Sequence, residues 1–279
     1  MVLTLWAVIA VAEKLTVFVS VVPQRYFLER IGGANVLVSV LVKPGHSPTT
    51  YEPTPRQMAA LATADVYVRI GVPFENAWME RIQFFNPNMN VLDTNDGLRL
   101  RGVEVGQKLK KQHSRHDHGK DPHTWLSPPL AMQMATKIRD RLIEIDPVHR
   151  TAYETNHLLL IADLVQLNKD IKETLANVKN RSFMVFHPAW CYFAEAYGLK
   201  QVPIEYEGKE PGPKSLALLI ERARALKIKV IFVDPQGSRK QAHTIADAIG
   251  GQVIELDPLS ENYFENLRNF ARLLSLNNS

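Results

Sequence analysis

Three histidines and one aspartate stand in short motifs whose residue types suit a divalent transition metal. The motifs are Gly45-His46-Ser47-Pro48, Asp121-Pro122-His123-Thr124-Trp125, Phe186-His187-Pro188-Ala189-Trp190 and Leu256-Asp257-Pro258-Leu259. Three imidazoles and a carboxylate make a complete set of ligands for such an ion. The separations are 77 residues from His46 to His123, 64 on to His187 and 70 on to Asp257. A compact finger is therefore excluded, and the four must converge from distant parts of a fold. Read singly, a histidine beside a turn is open to a structural hydrogen-bonding role, and Asp257 ahead of Pro258 to a turn or cap role. The joint set is what points to metal, with either Asp257 or a water in the fourth position.

The elements that must position these residues follow a βα rhythm. Short β-rich runs are predicted at Leu15–Val22, Asn35–Val42, Ala64–Ile70 and Met89–Leu92, and again at Ser182–Phe186, Lys200–Ile204, Lys229–Val233 and Gln252–Leu256, with amphipathic stretches between. Two sets of four βα units predict an α/β fold of two similar lobes with parallel sheets. His46, His187 and Asp257 then follow the carboxyl ends of strands, the edge at which open parallel sheets bind ligands. His123 lies in a proline-bounded loop ahead of a helix. Two ligands from each lobe place the site in the cleft between them.

Between the lobes, Pro147 to Val178 contains no glycine and no second proline, and Asp146 is placed to cap it. Leu160, Leu164, Leu167, Ile171, Leu175 and Val178 step by three or four, which predicts one long helix with a single buried stripe acting as a stiff bridge. A break near Asn168 is the competing reading. The expected organisation is a signal remnant at residues 1–12, an N-terminal lobe at 13–146, a linking helix at 147–178 and a C-terminal lobe at 179–279.

Composition narrows the class. A chain of 279 residues that is 46% hydrophobic supports one or two globular domains. The net charge of +4 comes from 33 basic and 29 acidic residues interspersed along the chain, a solvated surface and not a nucleic-acid footprint. Cys191 is the single cysteine, so an intramolecular disulfide and multi-thiolate zinc sites are excluded. Met1 to Ala12 is apolar and ends in Ala10-Val11-Ala12, which fits the remnant of an export signal. No later stretch is long and apolar enough to span a bilayer. Nucleotide binding is disfavoured because no Gly-x-Gly-x-x-Gly or phosphate-loop pattern follows the first strand.

The four motifs, together with Tyr51-Glu52-Pro53-Thr54-Pro55, Ile204-Glu205 and Gly208-Lys209-Glu210-Pro211, closely resemble those of the ZnuA-like zinc and manganese solute-binding proteins of ABC transporters. The resemblance covers nearly the whole chain after Glu13. It implies two α/β lobes bridged by one long rigid helix, and an extracytoplasmic receptor, expected as a monomer in the periplasm, that hands its ion to an ABC permease. Carried over residue by residue, the ligands fall on His46, His123 and His187, with the more variable fourth on Asp257.

Three imidazoles and one carboxylate favour Zn2+, with Mn2+ as the alternative. The histidine-rich loop of zinc members corresponds in place to Lys111 to Lys120, short here, and within it His113, His116 and His118 are open to a weak auxiliary zinc site or to no role. Glu205, Glu207 and Glu210 are expected to support ligands by hydrogen bonding or simply to be solvated. Asp234 and Arg239 are expected to line the cleft without ligating. The rival classes are a zinc hydrolase, for which no His-Glu-x-x-His pair is present, and a metal-dependent adhesin.

Overall fold

The structure is a computed structural model that describes residues 13–102, 120–206 and 208–278. The expected signal remnant, the His113, His116 and His118 group and Glu207 lie outside the described residues.

All eight predicted strands form, each within two residues of the expected ends. The first sheet contains β1 (Leu15–Val21), β2 (Val36–Val42), β3 (Val66–Arg69) and β4 (Asn90–Asp93). Its order is β2-β1-β3-β4. The second contains β5 (Ser182–Val185), β6 (Lys200–Pro203), β7 (Val230–Val233) and β8 (Gln252–Glu255), in the order β6-β5-β7-β8. Every pairing is parallel, with Val17 opposite both Val38 and Val66, and Met184 opposite both Val202 and Ile231. The two sheets thus share one permutation of strands. Sheets covered on both faces need strands that are apolar throughout rather than alternating. The β5 run Ser-Phe-Met-Val and the β7 run Val-Ile-Phe-Val are buried at every position.

The helices α1 (Val22–Gly32), α2 (Pro55–Leu61) and α3 (Pro73–Phe85) connect the first sheet, and α4 (Pro128–Ile145) closes that lobe. The linking segment is one 3-10 turn, Pro147–His149, running into α5 (Arg150–Leu175). At about 1.5 Å per residue, its 26 residues span roughly 39 Å. The expected single helix is thus observed without a break at Asn168, although its first turn is tighter than α. The buried face is Tyr153, His157, Leu160, Leu164, Leu167, Ile171 and Leu175, the predicted stripe extended two turns back, with Val178 just past the helix end. The Asp146 side chain does not cap the backbone as expected, and it is its carbonyl that accepts from His149 N at 3.3 Å. Its Oδ2 instead accepts from His149 Nδ1 and Tyr153 OH, both at 2.6 Å, and so fastens the helix entry through side chains.

The second lobe adds α6 (Cys191–Ala196), α7 (Pro213–Ala225), α8 (Arg239–Ile249) and α9 (Tyr263–Asn278). The bridge is not a free-standing rod: α5 packs on α1 and α4 from one lobe and on α9 from the other. Tyr263 at the start of α9 stacks on Tyr26 with ring centroids 5.8 Å apart, and meets Phe27 edge-on at 5.0 Å. One hydrophobic core consequently runs through both lobes, and a second cluster lies beneath α7 and α8. The lobes are welded at the base of the cleft by apolar contact.

Candidate metal centre

The cleft between the sheet ends has a volume of about 880 Å³, and both lobes line it. From the first lobe come Ser47 to Thr50, Ile70 to Pro73, His123 and Trp125, and from the second His187, Glu205, Asp234 and Gly237.

His123 is carried by a loop nailed to the end of the first sheet. Asn95 Nδ2 donates to the carbonyl of Ile70 at 2.6 Å, and Thr124 Oγ1 donates to Asn95 Oδ1 at 2.6 Å. Trp125 is fully buried, and its indole N–H donates to the carbonyl of Pro258 in the opposite lobe at 2.9 Å. The residue two before the histidine completes its orientation. Asp121 Oδ1 accepts from the backbone N–H of His123 at 2.9 Å and from its ring Nδ1 at 2.7 Å. Asp121 is itself held below the usual carboxylate range: burial opposes its ionisation, but the His123 charge and hydrogen bonds and the Cys191 thiol outweigh burial.

His187 follows β5, and Phe186 N donates to the Phe232 carbonyl at 2.7 Å to keep that strand end in register. Its Nδ1 is hydrogen-bonded to Glu205 Oε1. Burial works against the charged ring. The Glu205 hydrogen bond and charge, with Asp234 and Asp121 adding to them, nevertheless hold His187 above the ordinary imidazole range.

The two rings meet from opposite lobes with their Nε2 atoms 3.3 Å apart. Tetrahedral zinc with Zn–N bonds of about 2.05 Å would hold two such nitrogens about 3.3 Å apart. With each Nδ1 engaged by a carboxylate, the free ligating nitrogen of both rings is Nε2.

The other two expected ligands are not brought to this pair. His46 sits beyond a tight turn in which its N–H donates to the Lys43 carbonyl at 3.1 Å, with Pro44 and then Gly45 at φ +85° in the two central positions, a type II pattern. Its imidazole is exposed and lies edge-on to Tyr51 at 6.0 Å, while the following residues Ser47 to Thr50 line the cleft. Asp257 Oδ1 accepts from Leu259 N at 2.8 Å and its carbonyl accepts from Asn266 Nδ2 at 2.8 Å, so the turn role is the one observed. Its neighbours Pro258 and Leu259 form the wall there. Burial, with Asp234 and Glu255, pushes the Asp257 carboxyl up against the pull of the Leu259 N–H. Among the described residues, no three metal-ligating side chains stand close enough together to hold an ion.

Of the remaining candidates, Glu205 supports His187, whereas Glu210 accepts from Gln241 at 2.7 Å. Arg239 does not line the cleft as expected. It opens α8 on the surface and pairs with Glu255. Asp234 does line the cleft. Its Oδ1 is buried without a hydrogen-bond partner among the described residues, and burial lifts this carboxyl above the usual range although His187 draws it down. A methyl at Gly237 would lie 2.8 Å from that oxygen, so the glycine makes its room. Asp121 and Cys191, which the structure places behind His123, are not among the candidate site residues of the sequence. The signal for Asp121 was present, since an aspartate two residues ahead can bond the backbone N–H of the residue it orients. Nothing in the sequence marked Cys191.

A two-lobed α/β receptor fold with a pair of histidines facing across its cleft defines a ligand-binding protein of the solute-receptor class. The chain belongs to the family described as the periplasmic component A of the zinc-uptake complex, whose model matches residues 17–275. It is 31% identical over 261 residues to the zinc-binding lipoprotein AdcA of Streptococcus pneumoniae, covering 88% of this chain and 50% of the relative. It is 30% identical over 256 residues to the high-affinity zinc uptake system protein ZnuA of Bacillus subtilis, covering 88% and 79%. A crystal structure of ZnuA superposes with a TM-score of 0.88 at 40% identity, over 96% of this chain and all of the other. The chain thus spans about half the length of the AdcA proteins it matches, and most or all of the ZnuA proteins.

Proposed function

We propose that the chain is an extracytoplasmic receptor that captures zinc in its interlobe cleft and delivers it to an ABC permease. The observation that carries this reading is the His123–His187 pair, whose Nε2 separation of 3.3 Å is that of two ligands on one tetrahedral zinc. Neutral nitrogen donors suit zinc better than manganese, which prefers more oxygen ligands, and relatives named for zinc binding and zinc uptake support the choice. His46 and Asp257 complete the shell in this proposal. His46 enters by movement of the loop whose residues 47–50 already line the cleft, and Asp257 enters by exchanging its bond to Leu259 for the ion.

Binding and release suit the site better than hydrolysis. The two carboxylates that touch the histidines, Asp121 and Glu205, each accept from an imidazole Nδ1 and are therefore not placed as a general base for a metal-bound water.

The test is elemental analysis and equilibrium titration of the metal-loaded chain beside its His123→Ala, His187→Ala, His46→Ala and Asp257→Ala variants. One zinc per wild-type chain is expected, with the His123 and His187 variants losing binding and the other two weakening it. Less than one metal per wild-type chain, or tighter binding of manganese than of zinc, overturns the reading.

A further inference from the structure

We propose that Cys191 is a positioning residue for the metal site, acting across the lobe boundary through Asp121 on His123. This rests on reading His123 as a zinc ligand.

Asp121 is a buried first-lobe carboxylate with both oxygens occupied. Oδ1 takes the two N–H groups of His123, and Oδ2 takes the Cys191 thiol at 2.6 Å. The next residue of the second lobe holds the other end of the same aspartate: Tyr192 OH donates to the Asp121 carbonyl at 2.9 Å and accepts from Arg101 N at 2.9 Å. Cys191 and Tyr192 are the first two residues of α6. A pair of adjacent side chains from one lobe thus fixes both the carboxylate plane and the backbone of an aspartate in the other.

The plane matters because Oδ1 sets the His123 ring. With Nδ1–H pointing at Asp121, the lone pair of Nε2 faces the cleft, and a rotation of the carboxylate would turn the imidazole with it. A carboxylate bonded at one oxygen keeps that rotation, while a donor on the second oxygen removes it. Cys191 is only 4% exposed, so water has no ready access to take the place of its thiol. Cys191 also lies four residues after His187, so one segment carries one imidazole of the pair and the residue that orients the other. Residues 187–192 thus bear on both rings of the pair whose Nε2 atoms lie 3.3 Å apart, carrying His187 directly and reaching His123 through Asp121.

The test uses the full chain and its Cys191→Ala, Cys191→Val and Cys191→Ser variants, with zinc affinity read by competition against a chromogenic chelator. The Nδ1–H resonance of His123 is read by NMR in the metal-free protein. Alanine and valine, which lack a donor, are expected to weaken zinc binding about ten-fold, the lower end of the range for groups that orient metal ligands, and to lose or shift the resonance. Serine, which keeps a donor, is expected to restore both. Valine fills the thiol's volume, so the comparison survives if the alanine chain fails to fold. Wild-type affinity with an unchanged His123 resonance in the folded valine or alanine variant overturns the proposal, as does a folded serine variant as impaired as they are. If the wild type binds no zinc, the reading of function fails, and the resonance alone decides whether Cys191 sets the His123 ring.

Discussion

Glu205 and His187 are joined through Oε1 and Nδ1, and this contact leaves Nε2 of His187 as the nitrogen that faces His123. The carboxylate makes the ring more basic and fixes its rotation. Replacing Glu205 with glutamine removes the charge and keeps a hydrogen-bonding oxygen. Zinc affinity is expected to fall about 10- to 100-fold, as is usual for the partner of a ligating histidine. Titration of Glu205→Gln with an unchanged dissociation constant would show the contact to be irrelevant to binding.

Proton competition gives a second expectation. The metal takes only neutral imidazole, and His187 is held above the ordinary imidazole range by Glu205 despite its burial. Zinc affinity should therefore begin to fall on acidification at a pH above the ordinary histidine value of about 6.5. In Glu205→Gln the onset should move to lower pH. For the metal-free fold the sign is the reverse: a raised folded-state pKa stabilises the protein below the unfolded value and ceases to as pH rises through the folded one. Zinc titrations and thermal melts at pH 5 to 9 check both. An onset that Glu205→Gln leaves in place refutes the assignment.

Trp125 ties the lobes behind the site through its indole N–H and the Pro258 carbonyl, and Tyr263 OH returns the tie to the Trp125 carbonyl at 2.6 Å. Trp125→Phe leaves a buried carbonyl without its donor and a void beside His123, whose ring centroid is 5.1 Å away. A loss of about 1–3 kcal/mol for the orphaned acceptor is expected, with some further loss from the void. Denaturant unfolding measures it, and a difference below about 0.5 kcal/mol, the usual scale of inconsequential surface changes, would deny the tie.

Gly251 turns the chain from α8 into β8 where a Cβ would lie 2.5 Å from the Lys229 carbonyl oxygen. The obstacle is backbone of the neighbouring segment and does not swing aside. Gly251→Ala is expected to lose on the order of 1–3 kcal/mol, typical of overpacking, while zinc stoichiometry stays at the wild-type value. A melting temperature equal to the wild type would contradict the geometry.

Saturating zinc should raise the melting temperature, and EDTA should reverse the rise. Free ion at 1,000 times the dissociation constant adds about 4 kcal/mol to the folded state. His187→Ala should melt at the same temperature with and without zinc, and a zinc-dependent rise in that variant would place the ion elsewhere.

The strands were legible because parallel sheets bury both faces: runs such as Val230–Val233 carry apolar residues at every position and stand out from the helices that flank them. The bridging helix was legible for a similar reason, since the leucine stripe from Leu160 to Leu175 repeats at the helical period and no glycine or proline interrupts it. The Lys43–His46 turn uses the dihedral angles that proline followed by glycine prefers.

Residue type and order by themselves determined that His123 and His187 follow from different lobes into one cleft. Only the tertiary structure decided that these two face each other while His46 stays exposed and Asp257 closes its own turn. Distances between side chains from separate loops depend on how the lobes pack. Here that packing comes from the core shared through Tyr26, Phe27 and Tyr263 and from contacts far apart in the chain, such as Trp125 to Pro258 and Cys191 to Asp121. No local pattern encodes such pairs. The role of Cys191 in particular exists only because α6 begins against an aspartate 70 residues earlier.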